Sequence, residues 1–124
     1  MERESTVAPQ PQSPVLAGRS PLVVGNVNVP PGKRVKVEIP VTRLPTGTTL
    51  SLPVAIVRGR YPGPCIWLSA AIHGDELNGV EIIRRLIRSL KTSYLHGTVL
   101  AVPVVNIFGL IEQSRYLPDR RDLN

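Results

Sequence analysis

Two apolar runs with an amphipathic segment between them constrain the fold of this chain more than any other feature. Cys65 to Ile72 and Thr98 to Val105 contain no charged residue. Between them Leu77, Val80, Ile83, Leu86, Ile87 and Leu90 recur at steps of three and four, which predicts a helix from about Glu76 to Leu90 with one apolar face. Asp75 and Glu76 stand at its start, Arg88 and Lys91 at its end, as the helix dipole favours. Strand, helix and strand in this order imply a right-handed parallel crossover. The uncharged run from Cys65 reads as a central strand buried on both faces. Cys65 then reads as a small buried hydrophobe rather than a reactive thiol.

The remainder arranges itself around that unit. Residues 1–20 are rich in Pro, Gln and Ser and are expected to form a disordered tail, leaving 21–124 as the domain. Arg34 to Val41 alternates polar and apolar residues, the period of a half-buried strand. Thr49 to Val57 is β-branched and apolar, with Pro53 suggesting an edge or a bulge. The turn Leu44-Pro45-Thr46-Gly47-Thr48 makes these two strands antiparallel neighbours. His96-Gly97 reads as the end of a connection, with His96 in a loop. Asn106 to Asn124 has no sustained period and reads as a long functional loop, fixed at its start by Asn106.

Composition narrows the function classes. The net charge of +6 allows an anionic partner, but the basic residues are dispersed. One Phe, one Trp and three Tyr are too few for a base-stacking platform, so nucleic acid is not expected. No apolar run approaches the roughly 18 residues of a membrane span. The first residues lack the pattern of a secretory signal, and a cytoplasmic setting is the expectation. A single cysteine permits no internal disulfide.

The chemistry concentrates in Ala71-Ile72-His73-Gly74-Asp75-Glu76-Leu77-Asn78-Gly79, where the first apolar run gives way to the helix. In open α/β sheets, ligands bind at the carboxyl ends of strands. An imidazole and a carboxylate three residues apart share one face there and suit a divalent metal, zinc above all. Gly74 permits a tight turn between them, and Asp75 could orient a ligand from behind. The same two residues also suit a helix cap.

Three segments taken together carry more. Ala70 to Gly79, then Pro103-Val104-Val105-Asn106-Ile107-Phe108-Gly109, then Arg115-Tyr116-Leu117-Pro118-Asp119-Arg120-Arg121-Asp122-Leu123-Asn124 resemble the succinylglutamate desuccinylase/aspartoacylase family of carboxypeptidase A-like zinc hydrolases. The resemblance runs from about Val29 to Asn124. It implies an α/β fold: the N-terminal half of a carboxypeptidase A-like mixed sheet, with antiparallel strands followed by the strand-helix-strand crossover. It also implies a zinc-dependent hydrolase acting on an N-acyl amide of a small, anionic molecule such as an acylated amino acid. His73 and Glu76 match the first two zinc ligands. Arg115 matches the arginine that polarises the scissile carbonyl or holds the substrate, and Asn124 matches an asparagine that contacts the substrate's carboxylate. An arginine fork suits a carboxylate or developing oxyanion better than a lysine. Asp122 could support a ligand or end a turn; Arg120 and Arg121 read as surface residues.

The chain departs from the family after Asn124. The arginine that follows in the motif, the third zinc ligand and the glutamate acid/base are not among its residues. The 124 residues alone are therefore expected to be inactive or nearly so. The other expectation is a non-catalytic, truncated fragment or interaction module that retains half the fold and self-associates through an exposed sheet edge.

Overall fold

The computed structural model describes residues 19–124. The expected tail falls almost wholly on residues 1–18, outside the described residues. A two-residue pair, β1 (Val23–Val24) and β2 (Val27–Asn28), leads into two long antiparallel strands, β3 (Arg34–Arg43) and β4 (Thr49–Arg58). Then follow β5 (Tyr61–Ser69), α1 (Asn78–Ser89), β6 (His96–Val102) and a short helix, α2 (Ile107–Glu112). The main sheet has the order β3-β4-β6-β5. Its β4–β6 pair is antiparallel and its β6–β5 pair parallel, so the sheet is mixed and α1 forms the expected crossover.

Alternation along the strands divides the core in two. Successive strand residues point to opposite faces. On β6, Ala101 joins Ala70 and Ile83 beneath α1, while Val102 joins Val29, Val37, Val54 and Ile56 on the other face. Val54 and Ile56, two apart on β4, lie in the second group, and Ala55 between them packs against the first. Each fully buried Val or Ile contributes about 1.5–3 kcal/mol of burial free energy.

Several expectations are corrected here. Among the described residues β5 is at the sheet edge, not its centre, and much of it is exposed: Cys65, Ile66 and Trp67 all face solvent. Among the described residues only β6 pairs with it, and Leu68 is the side chain that turns in towards Ile83. Cys65 is thus an exposed free thiol. The bulge falls between Pro40 and Thr42 on β3, not at Pro53. Pro53 is tolerated in β4 because β6 pairs only with Ala55 to Arg58, beyond it. His96 opens β6 instead of lying in a loop, and its ring stacks on Tyr61, its neighbour in register, at 4.7 Å. Leu77 and Leu86 remain exposed, because the sheet surface under α1 accommodates only Val80, Ile83 and Ile87. No helix among the described residues is long and apolar enough to cross a membrane.

The pairing of β5 with β6 continues as loop contacts past their ends and sets up the site. Ala70 N–H donates to Val102 O, Val105 N–H to Ala70 O, and Asn106 N–H to Ala71 O, at 3.0–3.1 Å. The two chain segments that leave the sheet here are thereby fixed side by side.

Candidate active site

At Ala71 the backbone takes a φ of 51°, in the left-handed region that residues with a Cβ rarely adopt. Such strain is held only where surroundings over-determine it, and here the Asn106 N–H to Ala71 O bond does so. The chain then turns through Ile72 to Leu77 before α1 begins at Asn78, two residues later than expected. Glu76 N–H donates to His73 O at 3.1 Å, closing a turn that puts both side chains on one side. His73 and Glu76 therefore meet in a pre-helical turn, not in the helix's first turn; Glu81 is the acid there. Gly74 serves a different purpose from turn flexibility. A Cβ on it would stand 1.8 Å from the carbonyl carbon of Gly109, so only glycine lets the turn lie against α2.

The helix α2 is itself a correction, since this stretch carries no helical period long enough to notice. Its six residues are set by caps. Asn106 Oδ1 accepts from Gly109 N–H at 2.8 Å, and Gln113, at a φ of 52°, ends the helix in the left-handed region. Asn106 is fully buried, and its amide Nδ2 donates to Arg115 O and Tyr116 O, both at 3.4 Å. The expectation that Asn106 fixes the loop agrees with this, and the loop it fixes returns to the His73 turn.

That return brings together four side chains. The buried His73 ring presents Nδ1 to Glu76 Oε1 at 3.2 Å and Nε2 to Asp122 Oδ1 at 3.0 Å. Asp122 Oδ2 accepts from Arg115 Nε and lies 3.0 Å from Nη2 as well. Arg115 Nη1 stands 3.8 Å from Glu76 Oε1. Asn124 enters through its backbone, whose N–H donates to Asp122 Oδ1 at 2.9 Å. The hydrogen bond to the imidazole thus comes from Asp122, 49 residues along the chain, not from Asp75. No local signal exposes such a partnership; only the Asp-Leu-Asn motif marked the position. Arg120 is exposed, and the exposed Arg121 pairs with Asp119.

The electrostatics follow from these contacts. The Asn124 N–H, then the His73 ring and Arg115, hold the Asp122 carboxyl at about 2. Hydrogen bonding to Asp122, and secondarily to Glu76, raises the His73 pKa, against partial burial and the Arg115 charge. A carboxylate is an acceptor only, so Nε2 carries the proton that faces Asp122. Nδ1 and Glu76 Oε1 then face each other 3.2 Å apart, an arrangement that a cation between them, a proton on Nδ1 or a metal, would stabilise. Glu76 and Asp122 address opposite ring nitrogens and do not converge. Among the described residues no three His, Cys, Asp or Glu side chains gather as a metal cage.

A mixed sheet with an imidazole-carboxylate pair at the carboxyl end of a parallel strand defines an α/β protein with a candidate ligand site at its strand ends. Residues 62–124 match the succinylglutamate desuccinylase/aspartoacylase catalytic domain, and the chain belongs to that family. The chain is 34% identical over 55 residues to the N-alpha-acetyl-L-2,4-diaminobutyric acid deacetylase of Halomonas elongata, a match covering 44% of this chain and 16% of that protein. A succinylglutamate desuccinylase/aspartoacylase structure from Rhodobacter sphaeroides aligns with a TM-score of 0.61 and 32% identity, over 72% of this chain and 28% of the other. An aspartoacylase family protein from Mesorhizobium loti aligns with a TM-score of 0.63 and 29% identity, over 73% and 29%. The chain therefore spans less than a third of the length of each of these relatives.

Proposed function

We propose that this chain carries the first part of a zinc-dependent site that hydrolyses the amide bond of a small N-acylated amino acid. His73 and Glu76 would hold the ion. The observation that carries this reading is the spacing of their donor atoms. Two ligands about 2.0–2.2 Å from a tetrahedral zinc lie roughly 3.3 Å apart, and Nδ1 and Oε1 are 3.2 Å apart. The donor set, one imidazole nitrogen and one carboxylate oxygen, suits zinc.

Bound zinc would supply an acidified water and polarise the substrate carbonyl. The chain's own residues do the rest of what is assigned here. Asp122 holds the His73 ring in the tautomer that leaves Nδ1 free as a donor, the role carboxylates commonly take behind metal-bound histidines. Arg115 would offer a planar fork to the carboxylate or developing oxyanion of a substrate, and Asn124, whose backbone N–H bonds the same Asp122 carboxylate, would contact the same substrate. An anionic substrate agrees with the net charge of +6, and an N-acetyl amino acid is what the Halomonas elongata relative's name describes. A single exposed thiol fits a reducing, cytoplasmic setting.

To test this, the chain is extended with the remainder of a family catalytic domain, and acetate or succinate release from N-acyl amino acids is measured with and without zinc. Zinc-dependent release that His73→Ala abolishes supports the reading; no zinc-dependent release refutes it. A second reading has its own observation. The outer edge of β5, with Ile66 49% and Trp67 59% exposed, favours a non-catalytic interaction module that associates through this strand. Hydrolysis by the extended chain decides against it.

A further inference from the structure

We propose that Arg115 is a displaceable counter-ion of the His73–Glu76–Asp122 cluster, competing with a metal cation and thereby coupling metal binding to binding of an anionic substrate. This rests on the reading of His73 and Glu76 as metal ligands. The side chain engages both carboxylates of the cluster: Nε and Nη2 lie 3.0 Å from Asp122 Oδ2, and Nη1 lies 3.8 Å from Glu76 Oε1. Before the His73 ring is counted, two carboxylates and one guanidinium leave the cluster with one net negative charge. The guanidinium is a permanent positive charge that the arrangement already contains beside both carboxylates.

A divalent ion bound by Nδ1 and Oε1 would share Glu76 Oε1 with Nη1, and the two positive charges would repel. The guanidinium has room to leave, because its side chain is 42% exposed. The backbone at this point has less freedom, since Asn106 Nδ2 donates to Arg115 O from a buried position. Displacement is therefore a side-chain rotation about a fixed base. Released from Glu76, the fork becomes available to a carboxylate or an oxyanion. Because coupling between two binding events is reciprocal, an anion that draws Arg115 outward should in turn tighten the metal.

The test measures zinc affinity of the 124-residue protein by competition with a chromophoric chelator, with circular dichroism confirming that each variant is folded. Arg115→Met is expected to bind zinc about 3- to 10-fold more tightly than wild type, the scale for removing one half-exposed like charge beside a divalent ion. Arg115→Lys retains the charge but not the fork, and should fall between them. Saturating N-acetylglycine should tighten zinc on wild type and leave Arg115→Met unchanged. Unchanged or weaker zinc binding by Arg115→Met overturns the proposal, since Arg115 would then be a support for Asp122. Zinc binding that His73→Ala leaves intact overturns the assignment of the ligands first, and the competition with it.

Discussion

Replacing Gly74 with alanine should separate the His73 turn from α2. An ideal Cβ at Gly74 would lie 1.8 Å from Gly109 C, 2.1 Å from Gly109 O and 2.4 Å from Gly109 Cα. All three are backbone atoms, so no side-chain rotation relieves the contact. Ordinary carbon contact begins near 3.5 Å, and the two segments must separate by about 1.5 Å. The resistance comes from bonds on both sides: Asn106 N–H to Ala71 O at 3.0 Å, and the Asn106 side chain to Gly109 and to the Arg115 loop. Overpacking of this kind costs about 1–3 kcal/mol, and loss of one buried capping bond adds about 1 kcal/mol. A total of about 2–4 kcal/mol should lower the urea midpoint by about 0.7–4 M at the slopes typical of small domains, about 1–3 kcal/mol/M. Gly47→Ala is the comparison: its φ of 87° strains any residue with a Cβ, but no atom lies within 4 Å. Its cost should be limited to backbone strain, about 1–2 kcal/mol. Urea titration followed by circular dichroism measures both. If Gly74→Ala is no more destabilising than Gly47→Ala, the packing of the turn on α2 is not as described.

The other predictions concern the cluster, its titration and the sheet edge. Asp122→Asn should weaken zinc binding by about 10- to 100-fold, the usual effect of losing a carboxylate behind a metal-bound histidine; chelator competition reads it, and an unchanged affinity refutes that role. In metal-free buffer the cluster should also shape stability against pH. The Asp122 carboxyl is depressed to about 2 from 3.8, so its contribution is present above about 4 and lost as pH falls towards 2. His73 is raised above 6.5, so its contribution is present below that value and lost as pH rises through the raised one. Melting temperatures of wild type should therefore fall on both sides of a pH 4–6.5 plateau, and His73→Ala should lose the alkaline fall. At the edge of the sheet, Trp67→Lys should reduce any concentration-dependent association seen by sedimentation, because a charge on an exposed edge strand opposes pairing with another chain.

The patterns of the sequence determined the elements: an alternating strand and a β-branched apolar strand joined by a turn, an apolar strand, an amphipathic helix and a second apolar strand. They did so because side-chain period and backbone geometry are local properties. The spacing of His73 and Glu76 was local too, and three residues sufficed to make them neighbours. Tertiary structure decided what local period cannot express. Among the described residues the strand from Tyr61 pairs on one side only, because neighbours in a sheet are chosen by the whole topology and not by a strand's own hydrophobicity. The short helix Ile107–Glu112 exists through its caps and its contact with Gly74, not through a period of its own. The Asp122–His73 bond joins residues 49 apart, and Arg115 meets both Asp122 and Glu76 only because Asn106 holds the returning loop. Sequence thus placed two donors beside each other, whereas the fold supplied the carboxylate behind the ring, the counter-ion and the backbone against which they stand.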